Sequence, residues 1–179
     1  MPTNRSIQFR VVAPRLLSMY QLDVQQRMKS IVYRGGVARF DIPENWREEY
    51  EPAGGATFYE PGDTTGTLRL NVLSFKKNDD SSSKPWEKLG YRPFRDDIFL
   101  KMEEKNFSED GEDCTLVNWA LGYEVDGSGY RVASFNYTVL DRMKKTEQTK
   151  KELEIISTIL KSAEFGREEG ISGDYIHNK

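Results

Sequence analysis

The stretch Val37-Ala-Arg-Phe-Asp-Ile-Pro-Glu-Asn-Trp46 decides how the rest of the chain is interpreted. Charged residues alternate with Phe40 and Ile42, which is the pattern of a half-buried β-strand. Pro43 ends this strand, because proline has no backbone N–H to donate to a neighbouring strand. Trp46 follows three residues later, close enough to fold back over the end of the sheet.

Two further apolar segments, 56–59 and 67–75, are interpreted as strands that pair with this first one. In the second segment, Leu73 and Phe75 lie on the face opposite to the other apolar side chains. Apolar residues on both faces indicate that the sheet is covered on both sides. We therefore expect an α+β fold with layers on each side of an antiparallel sheet.

The second half of the chain predicts a hairpin that follows a helix. Alternating apolar residues over 115–125 and 130–139, separated by Asp126-Gly-Ser-Gly129, are typical of two strands joined by a turn. Before the hairpin, apolar residues recur at every fourth position, which predicts a helix from Pro93 to about Asn106.

The end of the domain is predicted to be a helix followed by a short strand. An apolar stripe with helical spacing ends at Ala163, and either Thr146 or Thr149 can cap the helix. Glu164 and Phe165 are expected to add an edge strand.

Three regions are predicted along the chain: an N-terminal extension (1–36), one α-β-α domain (37–165) and a flexible C-terminal tail (166–179). Within the extension we expect a short strand at Ile7–Val12 and a helix from Pro14 to about Ser30. That helix either packs on the domain or forms an arm that docks on a partner.

Composition excludes several classes of protein. The 179 residues carry a net charge of −3, which argues against a general nucleic-acid binder. No apolar run approaches the ~18–20 residues that a membrane span needs. Because the N-terminus lacks a signal-peptide core, the chain as written is expected in the cytoplasm, and an exported form trimmed of its leader stays open.

The sequence lacks the usual constellations of catalytic and metal-binding residues. His177, the only histidine, falls in the tail expected to be flexible, where a His-based catalytic group would lack the rigid geometry that catalysis needs. A single cysteine, Cys114, cannot form a Cys-cluster metal site. We expect no enzymatic activity, no cofactor and no metal. One basic set near the last helix is a possible surface for an acidic partner: Arg142, Lys144, Lys145, Lys150 and Lys151.

Four residues are candidates for a binding surface: Trp46, Asp63, Trp86 and Tyr91. Trp86 and Tyr91 lie in a polar stretch, where exposed aromatic rings often mark a binding face. The alternative is that these two rings attach the loop to the core.

Short motifs in this order resemble the PsbP-like domains of extrinsic photosystem proteins and their bacterial relatives. The motifs are Phe40-x-Ile-Pro-x-x-Trp46, Gly55-Ala-Thr-Phe-Tyr-Glu60 and Ser162-Ala-Glu-Phe165, and the resemblance covers about residues 37–165. The superfamily includes the Mog-type factor that binds the Ran GTPase. The resemblance implies an α-β-α sandwich, a central antiparallel sheet flanked by helices, in a binding or assembly factor without a catalytic site.

Two hypotheses about function follow. The first is a non-enzymatic protein-interaction or assembly-factor domain that binds another protein through a sheet end and the loops around the four candidate residues. The alternative is a small-ligand carrier with a pocket between the sheet and a helix.

Overall fold

The computed structural model describes residues 27–76, 85–126 and 129–167. The strand predicted at Ile7–Val12, the helix predicted from Pro14 up to residue 26, and the tail beyond Arg167 lie outside the described residues.

The described part of the chain contains ten strands, arranged in two antiparallel sheets, two α-helices and two short 3₁₀ helices, at Arg34–Gly36 and Asp141–Met143. The strands are β1 (Met28–Tyr33), β2 (Ala38–Pro43), β3 (Arg47–Tyr50), β4 (Ala56–Tyr59), β5 (Thr67–Lys76), β6 (Arg92–Arg95), β7 (Ile98–Glu109), β8 (Glu112–Val125), β9 (Gly129–Leu140) and β10 (Glu164–Phe165), and the α-helices are α1 (Pro85–Lys88) and α2 (Glu147–Ser162). The larger sheet has the order β3-β4-β5-β9-β8-β7-β6, and the smaller has the order β1-β2-β10.

The core lies between the smaller sheet and one face of the larger sheet, which we call the inner face. Phe40 of β2 meets Phe58 of β4 edge to face, with ring centroids 5.4 Å apart, and meets Phe135 of β9 at 5.8 Å. Helix α2 packs beside β2 over the same inner face, and its Ile156 and Ile159 are buried. The opposite, outer face carries exposed residues such as Leu73.

The predicted pairing of β2 with the segments 56–59 and 67–75, which form β4 and β5, is wrong. β2 pairs with β1 and β10, whereas β4 and β5 pair with each other in the larger sheet. Alternation predicted the strand and its apolar face, but Phe40 and Ile42 use that face to pack against the other sheet. Alternation with a period of two identifies which side of a strand is buried, but it does not identify the strand that pairs with it.

The helix predicted from Pro93 to about Asn106 is also wrong, since this segment forms β6 and β7. Its apolar residues Phe94, Ile98 and Met102 are four apart. Ile98 and Met102 both lie on β7, where an even spacing places them on one face of a strand as well as on one face of a helix. Phe94 lies on β6, across the turn at residues 96–97. The described part is thus rich in sheet, with the long helix α2 on the inner face and the four-residue α1 near the outer face.

The predicted boundary after residue 36 does not match a structural break. Met28–Ser30, expected at the end of a helix, belong to β1, and β1 pairs with β2 along its whole length. Ile31 and Tyr33 of this strand are 2% and 1% exposed, so β1 contributes directly to the core.

The hairpin and the terminal helix are confirmed. β8 and β9 pair from Cys114–Leu140 to Val125–Gly129, with Trp119 opposite Phe135 on the inner face. The Thr146 hydroxyl caps α2 by accepting a hydrogen bond from the Thr149 N–H at 3.2 Å. Glu164 and Phe165 form the expected edge strand, against β2.

Candidate functional site

Two of the four candidate binding residues are buried. Trp46 is 3% exposed and belongs to the core between the sheets. Trp86 is 2% exposed and stacks on Phe99, with ring centroids 5.9 Å apart and its edge toward Tyr130 at 5.4 Å. Gly122 leaves the space that the indole fills, because a Cβ at this position would overlap it. Trp86 thus attaches α1 to the sheet.

The structure does not bring the four residues into one surface. Trp46 lies at the inner face, whereas Trp86 packs on the outer face, on which the β7–β8 register places Phe99 and Gly122. Asp63 is exposed, and Tyr91 is half-buried with its ring 5.3 Å from Trp86. Binding by these residues stays a prediction, and only Asp63 and Tyr91 reach solvent.

A different feature, a groove on the inner face, is the candidate site. It has a volume of about 490 Å³ and lies between α2 and the part of the sheet formed by β6 to β9. Its walls are mainly apolar: Leu100, Met102, Val117 and Trp119 on the strands, and Leu153 and Leu160 on α2.

The groove exists because α2 covers only part of the inner face. The Tyr137 hydroxyl of β9 donates a hydrogen bond to Glu152 of α2, so the helix lies over β9. β7 is two strands away in the sheet order, beyond the reach of α2. The β7–β8 register places Met102 on the inner face, opposite Trp119. Because α2 does not cover β7, this side chain is 58% exposed.

A buried carboxylate holds α2 in this position. Glu152 is 1% exposed, and its Oε2 accepts hydrogen bonds from the Tyr137 hydroxyl at 2.5 Å and from the Gly66 N–H at 2.9 Å. Its Oε1 accepts from Gln148 at 3.0 Å. Burial, together with the hydrogen bond to Glu152, raises the pKa of Tyr137, which keeps the hydroxyl protonated and donating.

The two ends of the groove carry charge. At the end nearest the start of α2, Lys144 and Glu104 form an ion pair of 2.5 Å. At the other end lies Lys161, exposed and without an ion pair to any of the described residues. The basic set expected from the sequence is partly paired, since Arg142 contacts Glu112 at 3.6 Å and Lys150 contacts Glu147 at 2.6 Å.

The groove is lined mainly by apolar side chains. Two hydroxyls in its wall are engaged in structural hydrogen bonds: Thr115 donates to Asp141, and Thr149 donates to the Met143 carbonyl at 2.8 Å. Cys114 is buried, and its burial and the surrounding carboxylates raise the pKa of the thiol, which disfavours the thiolate. Over the described ranges, no cluster of three or more potential ligands is placed to hold a metal. None of the helices in those ranges is long and apolar enough to span a bilayer.

The sequence interpretation missed half of this groove. The α2 wall was predicted, because its apolar stripe has helical spacing. Leu100 and Met102 were assigned to a helix, so their place beside α2 was not foreseen. The signal that could have found them is the short alternation of apolar and charged residues from Leu100 to Glu103, which has a period of two.

No protein-family model and no curated protein matches the chain. Among solved structures, a Bacteroides thetaiotaomicron protein is 22% identical with a TM-score of 0.50, and the match covers 79% of this chain and 49% of that one. The chain thus spans about half the length of that protein. The Saccharomyces cerevisiae Ran-binding protein Mog1p is 9% identical with a TM-score of 0.43, over 82% of this chain and 98% of that one. At this TM-score the Mog1p match carries no argument. The chain is therefore similar to the Bacteroides protein in fold alone, and the kinship with PsbP- and Mog-type proteins stays a prediction.

Proposed function

We propose that this chain is a non-enzymatic protein-interaction module whose site is the groove between α2 and β7. The observation that carries the proposal is the exposure of Met102, at 58%, on the floor of a mainly apolar groove on the inner face. Apolar surface of this kind, rimmed by charged residues, is typical of interaction sites. Methionine is common in such sites because its flexible side chain adapts to the partner.

The open shape of the groove favours a protein segment over a small molecule. Pockets for small molecules usually bury about 70–90% of the ligand surface. The groove has a sheet floor and one helical wall, with Met102 exposed at its open side. A partner that inserts its own apolar side chains covers that open side with its backbone.

The proposal is tested with Met102→Asp in the full-length chain and with Leu73→Asp as the matched control. Leu73 is 57% exposed, nearly the same as Met102, but lies on the outer face of the same sheet. We expect a partner captured saturably by the wild type to be lost with Met102→Asp and retained with Leu73→Asp, measured by quantitative mass spectrometry of pull-downs. Equal thermal stability of the two variants is the control for folding.

Two results would contradict this proposal. One is a partner that Met102→Asp retains, and the other is a partner that Leu73→Asp loses as fully as Met102→Asp does. Either result would place the binding site outside the groove.

The small-ligand carrier is the second candidate, favoured by the volume of the groove. About 490 Å³ lies within the ~300–1,000 Å³ of typical ligand pockets. A metabolite or lipid that fills the groove should raise the melting temperature of the wild type and not that of Met102→Asp, by mass action. A panel that stabilises neither protein would count against this candidate.

A further inference from the structure

The uncovered part of the inner face has the width of one helix. Neighbouring strands are about 4.8 Å apart, so β7 lies roughly 10 Å from β9, over which α2 packs. Packed helices have axes about 8–10 Å apart. A helix resting on β7 would therefore pack beside α2, in contact with Met102 and Leu153.

The length of the groove also fits a helix. Its α2 wall extends from Thr149 to Lys161, which at about 1.5 Å per residue corresponds to roughly 18 Å. Three turns of a second helix have this length. Apolar side chains at every third or fourth position of that helix would meet the apolar floor.

The charges at the two ends give the groove a direction. Lys161 lies at the end of α2, whereas Glu104, paired with Lys144, lies near its start. A helix antiparallel to α2 would place its first turn at Lys161 and its last turn at Glu104. Acidic residues are favoured in the first turn of a helix, so antiparallel packing places them beside Lys161, whereas Glu104 at the other end is already neutralised by Lys144.

We propose that the groove binds an amphipathic helix of a partner protein, about three turns long and antiparallel to α2, with acidic residues in its first turn against Lys161. This inference rests on the proposed function and adds the shape, direction and charge of the bound segment.

The test begins with phage-displayed 14-residue peptides of random sequence, selected on the full-length chain and counter-selected on Met102→Asp. We expect the enriched peptides to carry apolar residues at helical spacing and Asp or Glu in the first turn. Lys161→Glu should weaken the binding of these peptides about fivefold to tenfold, measured by fluorescence anisotropy. Exchanging the acidic first turn of a peptide for lysine should restore its affinity for Lys161→Glu.

Lys151→Glu is the matched control, since Lys151 is an exposed lysine of α2 outside the groove. It makes the same change of net charge and should leave peptide affinity unchanged. A similar loss of peptide affinity with Lys161→Glu and with Lys151→Glu would show that the effect depends on net charge alone. That result would overturn the proposed direction of the bound helix.

The remaining outcomes separate the two proposals. Peptides that need Met102 but lack helical spacing would overturn the bound helix, and helical peptides that bind Lys161→Glu as tightly as the wild type would overturn its direction. In both cases the interaction groove stands. If no selected peptide depends on Met102 for binding, both the proposed partner helix and the proposed interaction groove are contradicted. A dimer of the wild type that Met102→Asp dissociates, seen by sedimentation, would identify a second copy of the chain as the occupant and overturn the proposed partner helix.

Discussion

The Tyr137 hydroxyl of β9 and the Glu152 carboxylate of α2 are joined by a hydrogen bond of 2.5 Å in a fully buried position. The same carboxylate accepts the Gly66 N–H, at the end of the loop between β4 and β5. One side chain therefore connects the helix, the central strand and a loop. It also fixes the distance of α2 from β7, which sets the width of the groove.

Glu152→Gln should lower the free energy of unfolding by about 1–3 kcal/mol, because the amide keeps only one acceptor oxygen for three donors and leaves a buried polar group without a partner. Urea unfolding measures the change. Glu154→Gln is the control, since Glu154 is exposed on the same helix and should change stability by less than about 0.5 kcal/mol. Equal stabilities of the two variants would show that the network does not hold α2.

Trp86→Ala should lower the free energy of unfolding by about 3–5 kcal/mol, because the buried indole packs against Phe99 and Tyr130. This result would identify Trp86 as an attachment of α1 to the sheet. An unchanged melting temperature with loss of a partner would instead restore Trp86 as a binding residue.

Gly122→Ala tests the same contact from the other side. Its new methyl group overlaps the indole of Trp86, so we expect the free energy of unfolding to fall by about 1–3 kcal/mol. In a protein that already carries Trp86→Ala, the indole is absent and the methyl group has room. Gly122→Ala should then change the free energy of unfolding very little. A cost that is the same in both backgrounds would mean that strain in β8 itself, and not the indole, requires glycine.

Local patterns predicted the β8–β9 hairpin and helix α2 and failed for β1, β6, β7 and the pairing of β2. The hairpin of β8 and β9 was predicted because both strands alternate over about ten residues around a glycine-containing turn, and only a hairpin fits that arrangement. The pairing of β2 was not predicted, because alternation along β2 is the same whichever strand lies beside it. The first half of β1, Met28–Ser30, was predicted as the end of a helix, since Met28 also completes an apolar stripe with helical spacing.

The groove depends on tertiary placement, which no local pattern contains. Met102 is apolar and lies on the core side of its strand, so its sequence context predicts burial. It is exposed because α2 is held over β9 by Glu152, two strands away. The small-ligand hypothesis did predict a pocket between the sheet and a helix, and a groove lies there, although its residues were not foreseen.

Alkaline pH should destabilise the fold through Tyr123, whose pKa is raised to about 12, mainly by burial and against the opposing charge of Arg131. In the unfolded chain a tyrosine loses its proton near pH 10. Between about pH 10 and 12 the folded protein therefore binds more protons than the unfolded chain, and stability falls as the pH rises. Tyr123→Phe removes this contribution, so its stability relative to the wild type should improve steadily from pH 9 to pH 11 in urea unfolding. A stability difference that is constant over this range would mean that the Tyr123 hydroxyl titrates in the folded protein as it does in the unfolded chain.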